Sequence, residues 1–103
     1  VEGRMVPVYV IVRVDITDRQ QYQKYLAVAP SIVQKYGGRV IARSETAVTL
    51  EGPEEKRKIV LIEFSSIERV RGFYDSPEYR HARGLRAESA SGEMIVVDGL
   101  IPG

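Results

Sequence analysis

Arg43 and Glu63 are the first residues in this chain whose types and spacing offer chemistry. Successive side chains of a strand alternate between faces. Counting by twos puts both on one sheet face, near the ends of neighbouring strands. A partly buried arginine clamps a carboxylate or enolate oxygen through a forked set of donors. A carboxylate in an apolar lumen has a raised pKa and serves as a general base. The alternative is structural: the two pair with each other or across a subunit interface, as charges in such places do.

Tyr22, Tyr25, Tyr36, Phe73, Tyr74 and Tyr79 form an aromatic set. Tyrosines line pockets for flat or phenolic ligands and place hydroxyls on them. Helical spacing makes most of these helix-to-sheet packing, and Tyr25 and Tyr79 are the pocket candidates. His81 is the single histidine. It sits beside Arg80 and Arg83, two positions after Tyr79 and therefore off that residue's helix face, and reads as solvated. Asp15 and Asp18 read as loop and cap residues. Arg80, Arg83 and Arg86 read as a solvated basic face interrupted by Glu78 and Glu88.

No metal set is arguable from one histidine, no cysteine and scattered carboxylates. No phosphate-cradling loop or serine elbow is present, and no cofactor is expected. The chain has 103 residues, a formal net charge of +1 and 28% charged residues. That suits one globular domain without the basic footprint of a nucleic-acid or anionic-membrane binder. No apolar run approaches the roughly 18–20 residues that cross a bilayer. The absence of cysteine suits a reducing cytoplasm. Residues 1–4 (Val-Glu-Gly-Arg) read as a cloning remnant ahead of Met5, leaving a single domain over residues 5–103.

The elements that must position these groups follow from the pattern. A strand runs from Val8 to Val14. Thr17 caps a helix with Gln20 three residues on; its stripe is Tyr22, Tyr25, Leu26, Ala29, Val33 and Tyr36. Pro30 predicts a kink or break near Ala29, and Gly37-Gly38 a left-handed stop. A second strand spans Arg39 to Ser44, with an extended continuation through Val48 and Leu50. After a polar loop at Gly52–Lys56 a third strand runs from Lys58 to Phe64. Ser65 to Glu68 reads as a second capping box. Ser76 and Pro77 open a further helix ending near Gly92, and the last strand is Glu93 to Asp98. The order β-α-β-β-α-β is the ferredoxin-like split arrangement, an α+β fold with an antiparallel sheet and both helices on one face.

The strands are apolar on both faces, whereas a sheet with one wet face alternates apolar and polar. Val8, Val10, Val12, Val60, Ile62 and Phe64 belong under the helices. The other face mixes Ile11, Ile59 and Leu61 with Tyr9, Arg13, Arg39, Arg43 and Glu63. A second copy is expected to cover it, giving a homodimeric α/β barrel across a two-fold axis.

Ala29-Pro30-Ser31-Ile32, Lys35-Tyr36-Gly37-Gly38-Arg39, Ile62-Glu63-Phe64 and Phe73 to Tyr79 (Phe-Tyr-Asp-Ser-Pro-Glu-Tyr) together resemble the domain of unknown function 1330 family. The resemblance covers Val8 to Asp98. It implies the dimeric α+β barrel fold, in a superfamily that includes small monooxygenases, muconolactone isomerase-like enzymes and stress-response proteins. It implies no particular reaction. Arg43 is followed here by Ser44-Glu45-Thr46-Ala47, where many members carry a longer glycine-bearing stretch. Three readings stand together. One is a cofactor-independent isomerase or monooxygenase acting on a small cyclic or phenolic acid, with Arg43 holding an oxygen, Glu63 moving a proton and Tyr25 and Tyr79 shaping the site. The others are a non-catalytic metabolite-binding or stress-related module, and a scaffold with a filled lumen.

Overall fold

The valine stripe of the first strand organises the molecule. In the computed structural model, which describes residues 6–100, strand β1 (Val8–Ile16) buries Val8, Val10, Val12 and Val14 beneath the helices. The chain continues through α1 (Arg19–Lys35), β2 (Arg39–Ser44), β3 (Lys58–Phe64), α2 (Ile67–Tyr74), α3 (Pro77–Ala87) and β4 (Ala90–Asp98). Among the described residues four antiparallel strands form one sheet in the order β2-β3-β1-β4. This is the expected α+β arrangement, with the second helical segment split at Asp75 and Ser76. The remnant read at residues 1–4 lies outside the described residues.

Register defines the two faces. Val8 stands opposite Phe64, Val10 opposite Ile62 and Val12 opposite Val60. These side chains meet Tyr25, Ala29, Ile32 and Val33 of α1 and Phe73, Tyr79 and Ala82 of α2 and α3. Burying such side chains supplies on the order of 1.5–3 kcal/mol each. Aromatic contacts run through this layer from Phe64 to Phe73 (5.4 Å between centroids) and from Phe73 to Tyr79 (4.3 Å). On the outer face Tyr9 lies between Glu63 and Val97, Ile11 between Leu61 and Ile95, and Arg13 between Ile59 and Glu93.

Within and at the ends of the helices, local choices differ from the sequence reading in four places. Asp18, not Thr17, caps α1, accepting from the Gln21 N–H at 3.0 Å. Thr17 instead turns its N–H and hydroxyl to the Ser89 carbonyl, pinning the end of β1 to the start of β4. Likewise Ser66, not Ser65, caps α2. Helix α1 runs unbroken through Pro30. Proline withholds one hydrogen bond from the Leu26 carbonyl, but Ala29, Ile32 and Val33 pack on the sheet and hold the helix together. Helix α3 ends at Ala87, because Ser89 takes up the Leu85 and Arg86 carbonyls through its hydroxyl; Gly92 lies inside β4.

The turn after α1 behaves as read. Gly37 has φ +86°, a conformation that costs other residues but not glycine. Gly38 has no room for a side chain, since a Cβ there would lie 2.5 Å from the Phe64 ring. The expected continuation of β2 does not form: Val48 and Leu50 are exposed in the connection between β2 and β3. The base of that connection is tied down by Arg57, which bonds Glu55 at 2.8 Å and Glu93 at 2.7 Å.

Candidate functional site

One irregularity decides which side chains meet. Arg39 pairs with Glu63 and Val40 with Ile62, but Ala42 pairs with Leu61 and Arg43 with Val60. A β-bulge between Val40 and Ala42 inserts Ile41 as an extra residue. Such a bulge re-aims everything beyond it. Strict alternation would put Arg43 on the face of Arg39 and Glu63. The bulge turns it over to the face of Val60, against the helices.

Arg43 there edges a cavity of about 60 Å³ between α1, α3 and the inner sheet face. Val12, Val14, Val60 and Ile62 form the floor, and Leu26, Ala29, Pro30 and Val33 the wall from α1. A void of this size holds a few water molecules. Its polar lining is Tyr22, Tyr25, Tyr79, Arg43 and Lys58. A wider open groove of about 400 Å³ between β4 and α2 has Val96, Val70 and Phe73 in its walls and only Arg71 and Asp75 as charged members.

The Tyr25 and Tyr79 hydroxyls lie 2.8 Å apart, both buried. One donates to the other, so the second proton of the pair is free for an acceptor in the cavity. Burial pushes the pKa of Tyr25, Tyr79 and Tyr22 up, while the Arg86 guanidinium pulls each back down. These hydroxyls therefore stay protonated and act as donors. Arg86 approaches the Tyr25 ring at 6.0 Å. Its Nη1 is buried with no hydrogen-bond partner among the described residues.

Lys58 is 8% exposed and stands opposite Val14 on the inner face. Its ammonium lies 5.3 Å from the Tyr22 ring centroid, a cation–π contact. Burial lowers its pKa from the usual lysine value; Glu45 acts against that shift, and Arg43 and Arg19 add to it. Among the described residues no carboxylate lines the cavity. The nearby Glu45 is paired with Arg19 at 3.0 Å.

Thus the structure brings Arg43, Tyr25 and Tyr79 to one cavity and leaves Glu63 outside it. Glu63 faces the outer side, ion-paired with Arg39 at 2.8 Å, so the expectation that Arg43 and Glu63 share a face is corrected by the bulge. His81 and Arg80 are exposed on α3, Asp15 is exposed, and Arg83 stacks over the Tyr74 ring at 4.2 Å. Arg86 departs from the solvated face expected of it. It falls seven residues after Tyr79, two turns on and therefore on Tyr79's face. Lys58 was also legible, being in phase with Val60, Ile62 and Phe64. Among the described residues no group of three or more His, Cys, Asp and Glu is placed to hold a metal ion, and no helix is long and apolar enough to cross a membrane.

Comparison with known proteins agrees with this fold. Residues 7–100 match the model of the domain of unknown function DUF1330. No functionally curated protein matches the sequence. The RPA0582 protein of unknown function from Rhodopseudomonas palustris superposes with a TM-score of 0.80 at 20% identity, covering 96% of this chain and 86% of that one. SnoaB, a cofactor-independent oxygenase from Streptomyces nogalater, superposes with a TM-score of 0.67 at 9% identity, covering 89% and 91%. Rv0793 from Mycobacterium tuberculosis gives 0.62 at 18% identity over 91% and 95%. At these identities the likeness is one of fold.

Proposed function

The chain belongs to the DUF1330 family, whose description assigns no activity, and from that premise we propose that it is a cofactor-independent enzyme acting on a small cyclic or phenolic acid. The observation that carries the reading is the inner cavity, where a buried hydroxyl pair and two cations converge without a carboxylate. Arg43, the exposed charged member of the lining, holds the acid group. Tyr25 and Tyr79 donate to an oxygen that gains charge as an adjacent proton passes to the amine form of Lys58, the lining residue able to take it. An isomerase returns that proton to another carbon. An oxygenase passes electrons from the resulting enolate or phenolate to dioxygen, and the likeness in fold to SnoaB supports that branch.

Admission of a ring requires the cavity to widen. Leu26, Ala29, Pro30 and Val33 of α1 line it, and Pro30 removes one hydrogen bond from that wall. The weakened turn supplies the place where α1 yields.

The outer face has a separate role in this reading. A second copy covers Ile11, Leu61, Ile95 and Val97 and completes a homodimeric barrel. Glu63 would then be enclosed with Arg39, and a catalytic part for Glu63 requires a ligand between the two sheets. A non-catalytic metabolite-binding role is the second reading, favoured by the small volume of the cavity and by its lack of a carboxylate base.

The test is binding and turnover with a panel of small cyclic and phenolic acids, salicylate among them. Arg43→Gln should weaken binding about tenfold or more, as loss of a charge-assisted contact does. Equal affinity of the variant removes Arg43 from the site. Binding without isomerisation or oxygen uptake across the panel decides for the second reading. Glu63→Gln with unchanged binding and turnover confines Glu63 to its ion pair.

A further inference from the structure

Lys58 stands apart from the other lysines. The chain has four: Lys24, Lys35, Lys56 and Lys58. Lys24 and Lys56 are exposed, and Lys35 is exposed and paired with Glu78. Lys58 is 8% exposed, on the wall of the cavity, and has no hydrogen bond or ion pair among the described residues.

The groups around it explain why its charge is poorly supported. Val14, its strand partner, and Val60 beside it are apolar. Tyr22 of α1 offers the ammonium its ring face, a cation–π contact at 5.3 Å, and no hydrogen-bond acceptor. Arg43 on β2 and Arg19 at the start of α1 are cations close enough to act on it. Glu45 is the anion opposing them, and it is engaged by Arg19 at 3.0 Å. Asp15 and Lys56 line the small polar cleft that opens beside Lys58 and offset each other in charge. Desolvation and a neighbouring cation are the two conditions that turn a lysine into a nucleophilic amine, and both hold here.

We propose that Lys58 is a reactive amine and that the cavity accepts a small aldehyde or ketone acid, with the carboxylate on Arg43 and the carbonyl carbon open to the Lys58 nitrogen. This rests on the reading of the cavity as a small-molecule site and adds the class of group that would react there. The lysine nitrogen forms a bond to the carbonyl carbon, and the carbonyl π electrons move to oxygen. One amine proton passes to that oxygen, giving a carbinolamine. Loss of the hydroxyl with the second amine proton, as water, leaves a neutral imine. Addition of water reverses the sequence, so no oxidant or reductant takes part. The anionic acid group also matches Arg43, which has no ion pair among the described residues.

The experiment is reductive trapping on the full chain. Protein is incubated with glyoxylate and cyanoborohydride near neutral pH and digested, and the carboxymethyl adduct is mapped across the four lysines, with the α-amino group scored separately. The expected result is an adduct on Lys58 that accumulates several times faster than on Lys24 or Lys56. In Lys58→Arg the same rates at Lys24 and Lys56 should persist. Labelling that follows exposure, with Lys58 unlabelled or no faster than Lys24 and Lys56, overturns the proposal, and the wild-type map alone decides this. A salicylate titration keeps the two readings apart. Salicylate bound at the cavity with Lys58 unlabelled removes the reactive amine and leaves the acid site. Lys58 labelled while salicylate fails to bind keeps the amine and removes the phenolic acid.

Discussion

At the level of single residues, the buried hydroxyl pair is the most sensitive feature. Tyr25→Phe or Tyr79→Phe leaves one buried hydroxyl without its partner, at a cost of about 1–3 kcal/mol. The double variant should lose less than the sum of the two, because it removes both polar groups together. Denaturant titration of the four proteins checks this, and strict additivity would show that the pair contributes nothing. Acid stability follows from Glu78 and Glu55. Lys35 holds the Glu78 carboxyl down to about 2, and Arg57 holds Glu55 down to about 2. Both folded values lie below the unfolded glutamate value of about 4.3. Their stabilisation is therefore in force above that value and is lost as pH falls toward about 2. Glu78→Gln should flatten that limb of the stability curve. Lys58 has the opposite linkage. Its folded pKa is lowered, so the unfolded chain binds the proton more readily and stability rises as pH climbs through the lysine range. Lys58→Met should raise stability at neutral pH and remove that alkaline gain.

At the level of elements, the sequence was most legible where pattern and packing agree. The valine stripe, the Ser76-Pro77 helix start and the Gly37-Gly38 turn all stand as expected. The caps slipped by one residue because Thr17 had a distant partner, Ser89, that no local pattern reveals. The larger miss was Arg43. Its placement depended on a one-residue bulge in β2, and alternation cannot register an extra residue that the partner strand does not match. Tyr25 and Tyr79 were picked out of the aromatic set as pocket candidates, while Lys58 was passed over although its phase with Val60 and Ile62 places it on their face. The side of the sheet taken by Arg43 was not legible. Two substitutions test the element geometry. Gly38→Ala drives a methyl group into Phe64 and should cost about 1–3 kcal/mol. Pro30→Ala restores the hydrogen bond to Leu26 and should stabilise α1 by up to about 3 kcal/mol. If the yielding wall matters, the same change slows ligand entry; unchanged entry kinetics would assign the flexibility elsewhere.

At the scale of the whole molecule, the sheet divides the protein into two sides of different character, to which the proposed function gives different tasks. The inner side is closed by helices and holds the polar cavity. The outer side keeps Ile95 and Val97 at 46% and 40% exposure beside half-buried Ile11 and Leu61. An apolar sheet face of that kind on an isolated subunit is a contact surface in waiting. Ile11→Asp or Leu61→Asp should convert a dimer into monomers by sedimentation, leaving the inner cavity and its binding intact. A soluble dimer after either change would rule out the barrel. The division of labour is tested most directly by a heteronuclear NMR titration of the protein with salicylate. Shifts concentrated at Val12, Tyr25, Lys58 and Tyr79 are expected, with the outer face silent. Shifts confined to Tyr9, Ile11, Leu61 and Glu63 would contradict the inner-cavity site and move the ligand between the two sheets.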